Sequence, residues 1–208
     1  MPEDAPVTAV TVDFYFDYGS PASYLAWTQL PRICADHGAA LNYCPVVLGA
    51  IFKATGNSSP AAIPAKGNYI LRDLARWAAL WGVPFKANPY FPINTVDLMK
   101  VAYAVQVRQP QQFEALNRAI FTAMSVEALD LNSPAIVAAA LLDAGLEPAT
   151  VKEWIAESEV RAGIRNITDQ AVRRGVFGAP TFFVGGAMYW GQDRLFMVEE
   201  AISRASRS

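Results

Sequence analysis

The chain has 208 residues, a formal net charge of −2 and 53% apolar residues. A chain of this length can bury one sizeable core, and we expect one compact unit. Its lysines and arginines are scattered singly, which argues against a surface for nucleic acid or an anionic membrane. Charged residues and prolines interrupt every apolar run before it reaches the roughly 20 residues that a membrane span needs.

The N-terminus and the few cysteines and histidines narrow the protein class further. The acidic Glu3 and Asp4 stand where a secretory signal carries basic residues, so we expect a cytoplasmic protein. Cys34 and Cys44 fit neither a Cys-x-x-Cys redox pair nor a zinc site, and His37 is the only histidine. We therefore expect buried, reduced thiols and no metal.

The first predicted elements are a strand, a helix and a second strand. Residues 10–17 alternate as a strand does, Ser20-Pro21 opens a helix to about Asp36, and residues 41–47 read as the next strand. The stretch Ser20-Pro21-Ala22-Ser23 stands where a thioredoxin-type fold carries its Cys-x-x-Cys. If this site handles sulfur, the sulfur must arrive with a ligand. A Ser-His-Asp hydrolase is excluded, because His37 lies at the opposite end of the same predicted helix.

The middle of the chain is predicted to be helical. Residues 49–60 are rich in turn formers and predict a loop. Helical patterns then continue from about Lys66 to Arg174, which predicts an inserted all-helical subdomain over residues 61–174. The individual predicted helices span residues 69–81, 95–108, 110–126, 133–145, 149–157 and 160–174. One of them opens on Ser133-Pro134, so a Ser-Pro helix start by itself does not indicate a functional site.

The C-terminal part returns to strands. Residues 181–184 and 187–190 predict two strands around the turn Gly185-Gly186, and a final helix is predicted from about Asp193 to Arg204. The chain is therefore predicted to be an α/β protein with a thioredoxin-like fold (βαβ … ββα), formed by residues 7–60 and 175–208 around the helical insertion. In this fold the proline that opens the third strand is cis, so we expect a cis Ala179–Pro180 bond. The alternative is an ordinary trans proline that starts an edge strand.

Five stretches of the chain, taken in their order along the sequence, resemble the 2-hydroxychromene-2-carboxylate isomerases and the related kappa-class glutathione transferases. Both belong to the DsbA-like branch of the thioredoxin fold. The resemblance covers nearly the whole chain. Its most specific stretch is Trp190-Gly191-Gln192-Asp193-Arg194-Leu195-Phe196. The other carrying stretches are residues 14–25, Gly56-Asn57, Lys66 with Tyr69 and Asp73-Leu74, and residues 177–181.

The resemblance implies that glutathione is the cofactor and that Ser20 is the catalytic residue, which hydrogen-bonds the glutathione sulfur. A thiol has a pKa of about 8.5, and a helix N-terminus with a hydroxyl donor stabilises its thiolate. The remaining glutathione contacts implied by the resemblance are Asn57, Lys66, Ala179, Pro180, Gln192 and Asp193. Asn57 and Lys66 could equally be an ordinary loop amide and a solvated lysine, and Asp193 could merely cap the last helix.

The reaction implied by the resemblance interconverts 2-hydroxychromene-2-carboxylate and trans-o-hydroxybenzylidenepyruvate in bacterial breakdown of naphthalene-type aromatics. The partner is then a small aromatic hydroxy or keto acid, and the resemblance suggests a homodimer. Such a substrate needs an apolar slot with a few polar groups. The candidate lining residues are Tyr18, Phe85, Tyr90, Phe91 and Trp190, with Asn94 as a polar contact; each aromatic could instead belong to the core. The alternative functions are a kappa-like glutathione transferase and a non-catalytic glutathione- or peptide-binding module.

Overall fold

Four strands form one mixed sheet in the computed structural model, which describes residues 9–207. The first strand, β1 (Thr11–Phe16), lies between β2 (Ala40–Pro45), which runs parallel to it, and β3 (Thr181–Val184), which runs antiparallel. The edge strand β4 (Ala187–Trp190) pairs antiparallel with β3. The resulting order β2-β1-β3-β4 confirms the predicted thioredoxin-like arrangement.

Some of the predictions fall on residues outside the described range. Glu3 and Asp4, on which the predicted compartment depends, lie outside it. The same is true of the outermost residues of the predicted thioredoxin-like bounds, 7, 8 and 208.

Most helices lie where the sequence predicts them, within a few residues at each end. The helices are α1 (Pro21–Asp36), α2 (Leu48–Thr55), α3 (Pro64–Trp81), α4 (Val96–Arg108), α5 (Phe113–Ser125), α6 (Pro134–Asp143), α7 (Pro148–Ala156), α8 (Ser158–Arg173) and α9 (Leu195–Ala205). Short 3₁₀ turns at Pro60–Ala62, Pro110–Gln112 and Gln192–Arg194 precede α3, α5 and α9.

Helix α2 corrects the prediction of a loop over residues 49–60. Its N-cap, Val47, has no side chain that can cap a helix, and the backbone N–H of Leu48 is instead bound by the carboxylate of Asp17, at 2.8 Å. Ile51 is fully buried, and Gly56 ends the helix in the left-handed conformation, at φ 72°. The helix thus starts at a cap that is distant in sequence, which local turn propensities cannot indicate.

The sheet is covered by helices on both faces. On one face Phe14, Phe16 and Phe182 belong to a large core that continues through α1, α4, α5 and α9. On the other face Tyr15 and Phe183 belong to a smaller cluster, in which Ile51 of α2 and Ala171 of α8 are also buried. The inserted helices therefore share their main core with the sheet.

No single helix among residues 9–207 is long and apolar enough to cross a membrane. In this described part of the chain, only α6 and α7 taken together reach that length and apolarity, across a bend of 111°.

Candidate active site

Ser20 stands at the N-terminus of α1, after a three-residue connection from β1. It is the N-cap residue in an extended conformation, and its Oγ accepts a hydrogen bond from the backbone N–H of Ser23 at 3.2 Å. The same hydroxyl donates to the carbonyl oxygen of Ala179 at 2.8 Å, across 159 residues of sequence. Ser20 thus joins the start of α1 to the loop before β3.

Ser133 provides an internal comparison for Ser20. Both residues precede a proline and occupy the N-cap position of a helix. The Ser133 side chain makes no capping hydrogen bond, whereas the Ser20 side chain accepts one and donates another. The feature that distinguishes Ser20 most is its contact with Ala179, which only the tertiary fold supplies.

The peptide bond between Ala179 and Pro180 is cis, as predicted. Two hydrogen bonds fix the surrounding loop: Asn57 Nδ2 donates to the carbonyl oxygen of Phe177 at 2.8 Å, and the N–H of Gly191 donates to that of Pro180 at 3.0 Å. The structure therefore brings Asn57 to this loop as a positioning contact.

Trp190 packs closely against the same loop. A Cβ built on Gly178 would lie only 2.6 Å from the Trp190 Nε1 atom, so the absent side chain leaves room for the indole. The rings of Trp190 and Phe177 lie 5.0 Å apart. Trp190 keeps 48% of its surface exposed, which leaves it free to contact a ligand.

Gln192 and Asp193 lie in the 3₁₀ turn Gln192–Arg194, so α9 itself begins at Leu195, two residues after its predicted start at about Asp193. Gln192 is buried, while Asp193 is partly exposed and pairs with the guanidinium of Arg194. The bond from Gly191 to Pro180 holds this turn next to the cis peptide. Gln192 and Asp193 are therefore brought to the Ala179 side of the site.

Lys66 lies exposed in the first turns of α3. It lines a shallow apolar depression together with Pro60, Tyr69 and Ile70. Among the described residues, no hydrogen bond joins it to Ser20 or Ala179, so its role as a ligand contact stays a prediction.

Tyr18 does not fit its predicted place in a pocket wall. Its side chain is fully buried, its hydroxyl donates to Asn117 Oδ1 at 2.7 Å, and its ring packs edge-on against Phe121 at 4.9 Å. A ligand cannot reach it, because the aromatic core already covers the ring. Sequence periodicity could not decide this, since a strand-end tyrosine is compatible with core and pocket alike.

The other predicted substrate contacts are more accessible. Tyr90 and Phe91 are about half exposed in the loop before α4, while Phe85 is half-buried against the main core. Asn94 lies at the rim of a cavity of about 530 Å³ between α4, α6 and α7, and its N–H donates to Asn132 Oδ1 at 3.2 Å.

Sequence reasoning missed Asp17, three residues before Ser20. Its side chain is 1% exposed, and burial raises the pKa of its carboxyl group. The carboxylate accepts hydrogen bonds from the N–H of Gly19, the hydroxyl of Thr95 and the N–H of Leu48. Its position directly after β1 and three residues before the serine is the signal that could have identified it.

Cys34 is buried, as the sequence predicts, whereas Cys44 is only partly buried. Burial raises the pKa of Cys34 to about 11 and that of Cys44 to about 12, so both free thiols stay protonated at neutral pH. His37 contacts Glu199 Oε1 at 3.1 Å and Ser203 Oγ at 3.2 Å, at the far end of α1 from Ser20. We therefore infer that neither cysteine acts as a nucleophile and that His37 does not act as a base for Ser20.

Comparison with known proteins gives a consistent family match. The DSBA-like thioredoxin domain model matches residues 11–203. The 2-hydroxychromene-2-carboxylate isomerase of Pseudomonas putida is 35% identical, over 94% of this chain and 96% of its own length. That of Sphingobium xenophagum is 32% identical, over 91% and 96%. The kappa 1 glutathione S-transferase of Rattus norvegicus is 29% identical, over 88% and 87%.

Solved structures give the same picture. A structure of 2-hydroxychromene-2-carboxylate isomerase superimposes with a TM-score of 0.83 at 31% identity, covering 95% of this chain and 96% of its own. A probable DsbA oxidoreductase from Streptomyces coelicolor has a TM-score of 0.71 at 18% identity, covering 94% and 89%, and this likeness concerns the fold alone.

Proposed function

The chain belongs to the 2-hydroxychromene-2-carboxylate isomerase family of DSBA-like thioredoxin domains, and from this we propose that it interconverts 2-hydroxychromene-2-carboxylate and trans-o-hydroxybenzylidenepyruvate with glutathione as cofactor. Three of its relatives, at 32 to 35% identity, are 2-hydroxychromene-2-carboxylate isomerases. To this isomerase activity we add a specific substrate pair and the use of the glutathione thiol.

The observation that carries the proposal is the Ser20 hydroxyl at the N-terminus of α1, bonded to the carbonyl of Ala179 beside the cis proline. Helix N-termini and hydroxyl donors favour a thiolate, so this is a place where a glutathione sulfur would be stabilised. A second hydroxyl in the same first turn, Ser23 Oγ, is buried and has no hydrogen-bond partner among the described residues. Because Ser23 is 0% exposed, we assign the sulfur contact to Ser20 alone.

The Ser20 proton has to change partners when a thiol binds. In the structure it is held by the Ala179 carbonyl oxygen. A peptide N–H from the cysteinyl part of the ligand can replace it on that carbonyl, which leaves the hydroxyl free to donate to the sulfur. Ala179 and Ser20 would then bind the backbone and the thiol of one residue.

When bound, glutathione would supply a thiolate that adds reversibly to the conjugated C=C bond, so that this bond becomes single and can rotate. Ser20 would keep the sulfur ionised between turnovers by donating a hydrogen bond to it. Asn57 would fix the loop that carries Ala179, through its bond to the Phe177 carbonyl. The exposed faces of Trp190 and Phe91 would provide apolar surface for a flat aromatic acid.

Replacing Ser20→Ala tests the proposal. We expect turnover of the chromene carboxylate, followed by its ultraviolet absorbance with glutathione present, to fall on the order of 10²- to 10³-fold, the loss typical when one donor to a developing anion is removed. Glutathione binding, measured by calorimetry, should be retained, because backbone contacts at Ala179 persist.

The matched control is Ser133→Ala, at the other Ser-Pro helix start, which should keep wild-type turnover because its side chain caps nothing. Wild-type protein that leaves the absorbance unchanged with glutathione would overturn the reaction. Equal rates with and without glutathione would overturn the cofactor.

The similarity to a kappa 1 glutathione S-transferase supports a second candidate, transfer of glutathione to an electrophile. Product analysis separates the two, because a transferase consumes one glutathione per turnover while an isomerase recovers it.

We also propose a metabolic process, a cellular compartment and an oligomeric state for the enzyme. We place it in bacterial breakdown of naphthalene-type aromatics, as a cytoplasmic homodimer. Light scattering of the purified protein would contradict the dimer if it gave the mass of one chain.

A further inference from the structure

The structure assigns a positioning role to Asp17: its buried carboxylate fixes the turn of residues 17–20, the Ser20 loop, relative to the loop before β3 that carries Ala179. This inference rests on the proposed function, since it concerns the placement of Ser20 for that chemistry. No contact of Asp17 with a ligand is involved.

The carboxylate accepts three hydrogen bonds from three separate segments. Oδ1 accepts from the backbone N–H of Gly19 at 2.8 Å and from the hydroxyl of Thr95 at 2.7 Å. Oδ2 accepts from the backbone N–H of Leu48 at 2.8 Å. All three donors are neutral, so no cation offsets the removal of this charge from water.

Each bond secures one component of the site. The bond to Gly19, together with the bond from the Ser20 N–H to the Asp17 carbonyl at 3.0 Å, fixes the turn into α1. The bond to Leu48 starts α2, and just beyond the end of α2 Asn57 holds the Phe177 carbonyl two residues before Ala179. One carboxylate therefore connects the Ser20 side with the Ala179 side.

The bond to Thr95 extends this connection to the helical insertion. Thr95 is the N-cap residue of α4 and is buried, and it directly follows Asn94. A Cβ on Gly19 would lie 3.1 Å from Thr95 Cγ2 and 3.3 Å from Asp17 Oδ1, so the glycine lets these groups approach closely. The loop that carries the predicted substrate contacts is thereby tied to the turn that carries Ser20.

A neutral side chain of the same shape cannot replace the carboxylate. An amide has one acceptor oxygen, and its NH₂ group would face the N–H of either Gly19 or Leu48. One backbone donor would then lose its partner, and either Ser20 or the start of α2 would shift. A shift of about 1 Å in a catalytic group can cost on the order of 10²-fold in rate.

Kinetics of Asp17→Asn in the full-length protein test the assignment. We expect kcat for the chromene carboxylate with glutathione to fall about 10- to 100-fold, with little change in the KM of the substrate. Asp13→Asn is the matched control: Asp13 lies on β1, the strand that ends directly before Asp17, and it accepts hydrogen bonds from Arg174 and Asn42, away from Ser20, so kcat should stay unchanged.

A second pair of variants covers the case in which Asp17→Asn does not fold. Thr95→Val removes the hydroxyl donor and should lower kcat, whereas Thr95→Ser keeps the hydroxyl and should restore it. A wild-type kcat in both Asp17→Asn and Thr95→Val would overturn the assignment. So would a Thr95→Ser enzyme as slow as Thr95→Val.

Amide hydrogen exchange separates this inference from the proposed function. Exchange at Gly19 or Leu48 should accelerate in Asp17→Asn, because one of these two N–H groups loses its acceptor, but not in Asp13→Asn, whatever the reaction is. If wild-type protein shows no isomerase activity but amide exchange changes in the variants as expected, the proposed function fails while the positioning role of Asp17 stands. Unchanged exchange at both amides in Asp17→Asn would overturn the network itself.

Discussion

At the scale of single residues, the site is organised by side chains whose environment gives them unusual properties. Ser20 differs from Ser133 through its capping bond and its long-range contact with Ala179. Asp17 keeps a carboxylate out of water with neutral partners only, and burial raises its pKa despite those bonds. Such a charge costs stability, which is consistent with a group retained for function.

The raised pKa of Asp17 predicts how stability depends on pH. Between the ordinary value of 3.8 and its folded value, the folded state binds more protons than the unfolded state. The contribution of Asp17 to the free energy of unfolding therefore rises as pH falls through the folded pKa, and it is complete below 3.8. We expect wild-type protein to gain stability relative to Asp17→Asn over this window.

Urea unfolding of the two proteins at a series of pH values measures this difference. The uncharged Asp17→Asn variant serves as the reference, because both proteins share every other titrating group. A stability difference that stays constant from neutral pH to below 3.8 would contradict a buried, titrating carboxylate.

At the scale of elements, close helix packing determines where the inserted helices lie. In α8, a Cβ on Gly163 would lie 2.1 Å from the Tyr103 ring of α4. The two helices can pack this closely because residue 163 has no side chain. Helix α2 depends in the same way on a partner distant in sequence, the Asp17 carboxylate.

Gly163→Ala tests the contact between α4 and α8. We expect it to lower the free energy of unfolding by about 1 to 3 kcal/mol, since the ring must leave its place to make room for a methyl group. Chemical denaturation measures the loss. Gly49→Ala in α2 meets no atom within 4 Å and should be neutral or stabilising by up to ~1 kcal/mol; equal effects of the two variants would contradict the packing argument.

At the scale of the whole molecule, one core joins the sheet to the insertion. Phe121 of α5 packs against Phe16 and Tyr18 from the region of β1, at ring distances of 6.1 and 4.9 Å. It also packs against Trp27 of α1 at 5.3 Å. The helical insertion therefore completes the hydrophobic core behind the Ser20 loop.

This shared core predicts cooperative unfolding. Phe121→Ala should cost about 3 to 5 kcal/mol, the usual range for a buried phenylalanine, and it should destabilise sheet and insertion together. Far-ultraviolet circular dichroism and tryptophan fluorescence should give coincident transitions in wild type and variant. Two separate transitions, with only one moved by the substitution, would show that the insertion has an independent core.

The order of the elements could be read from the sequence because its signals are local. Alternation along β1, the Ser-Pro start of α1 and the Gly185-Gly186 turn act over a few residues, and the structure confirms each. One feature of the site, the cis bond at Ala179–Pro180, could be predicted from the thioredoxin-like order of the elements, and it lies where expected.

The sequence by itself determined the thioredoxin-like order, the replacement of cysteine by Ser20 and the exclusion of His37 as its base, because these depend on residue identity and short-range periodicity. Only the tertiary structure decided that α2 is a helix, that Tyr18 lies in the core and that Asp17 connects three segments. The physical reason is that burial and capping by distant groups outweigh local propensity, and neither is visible until the chain has folded.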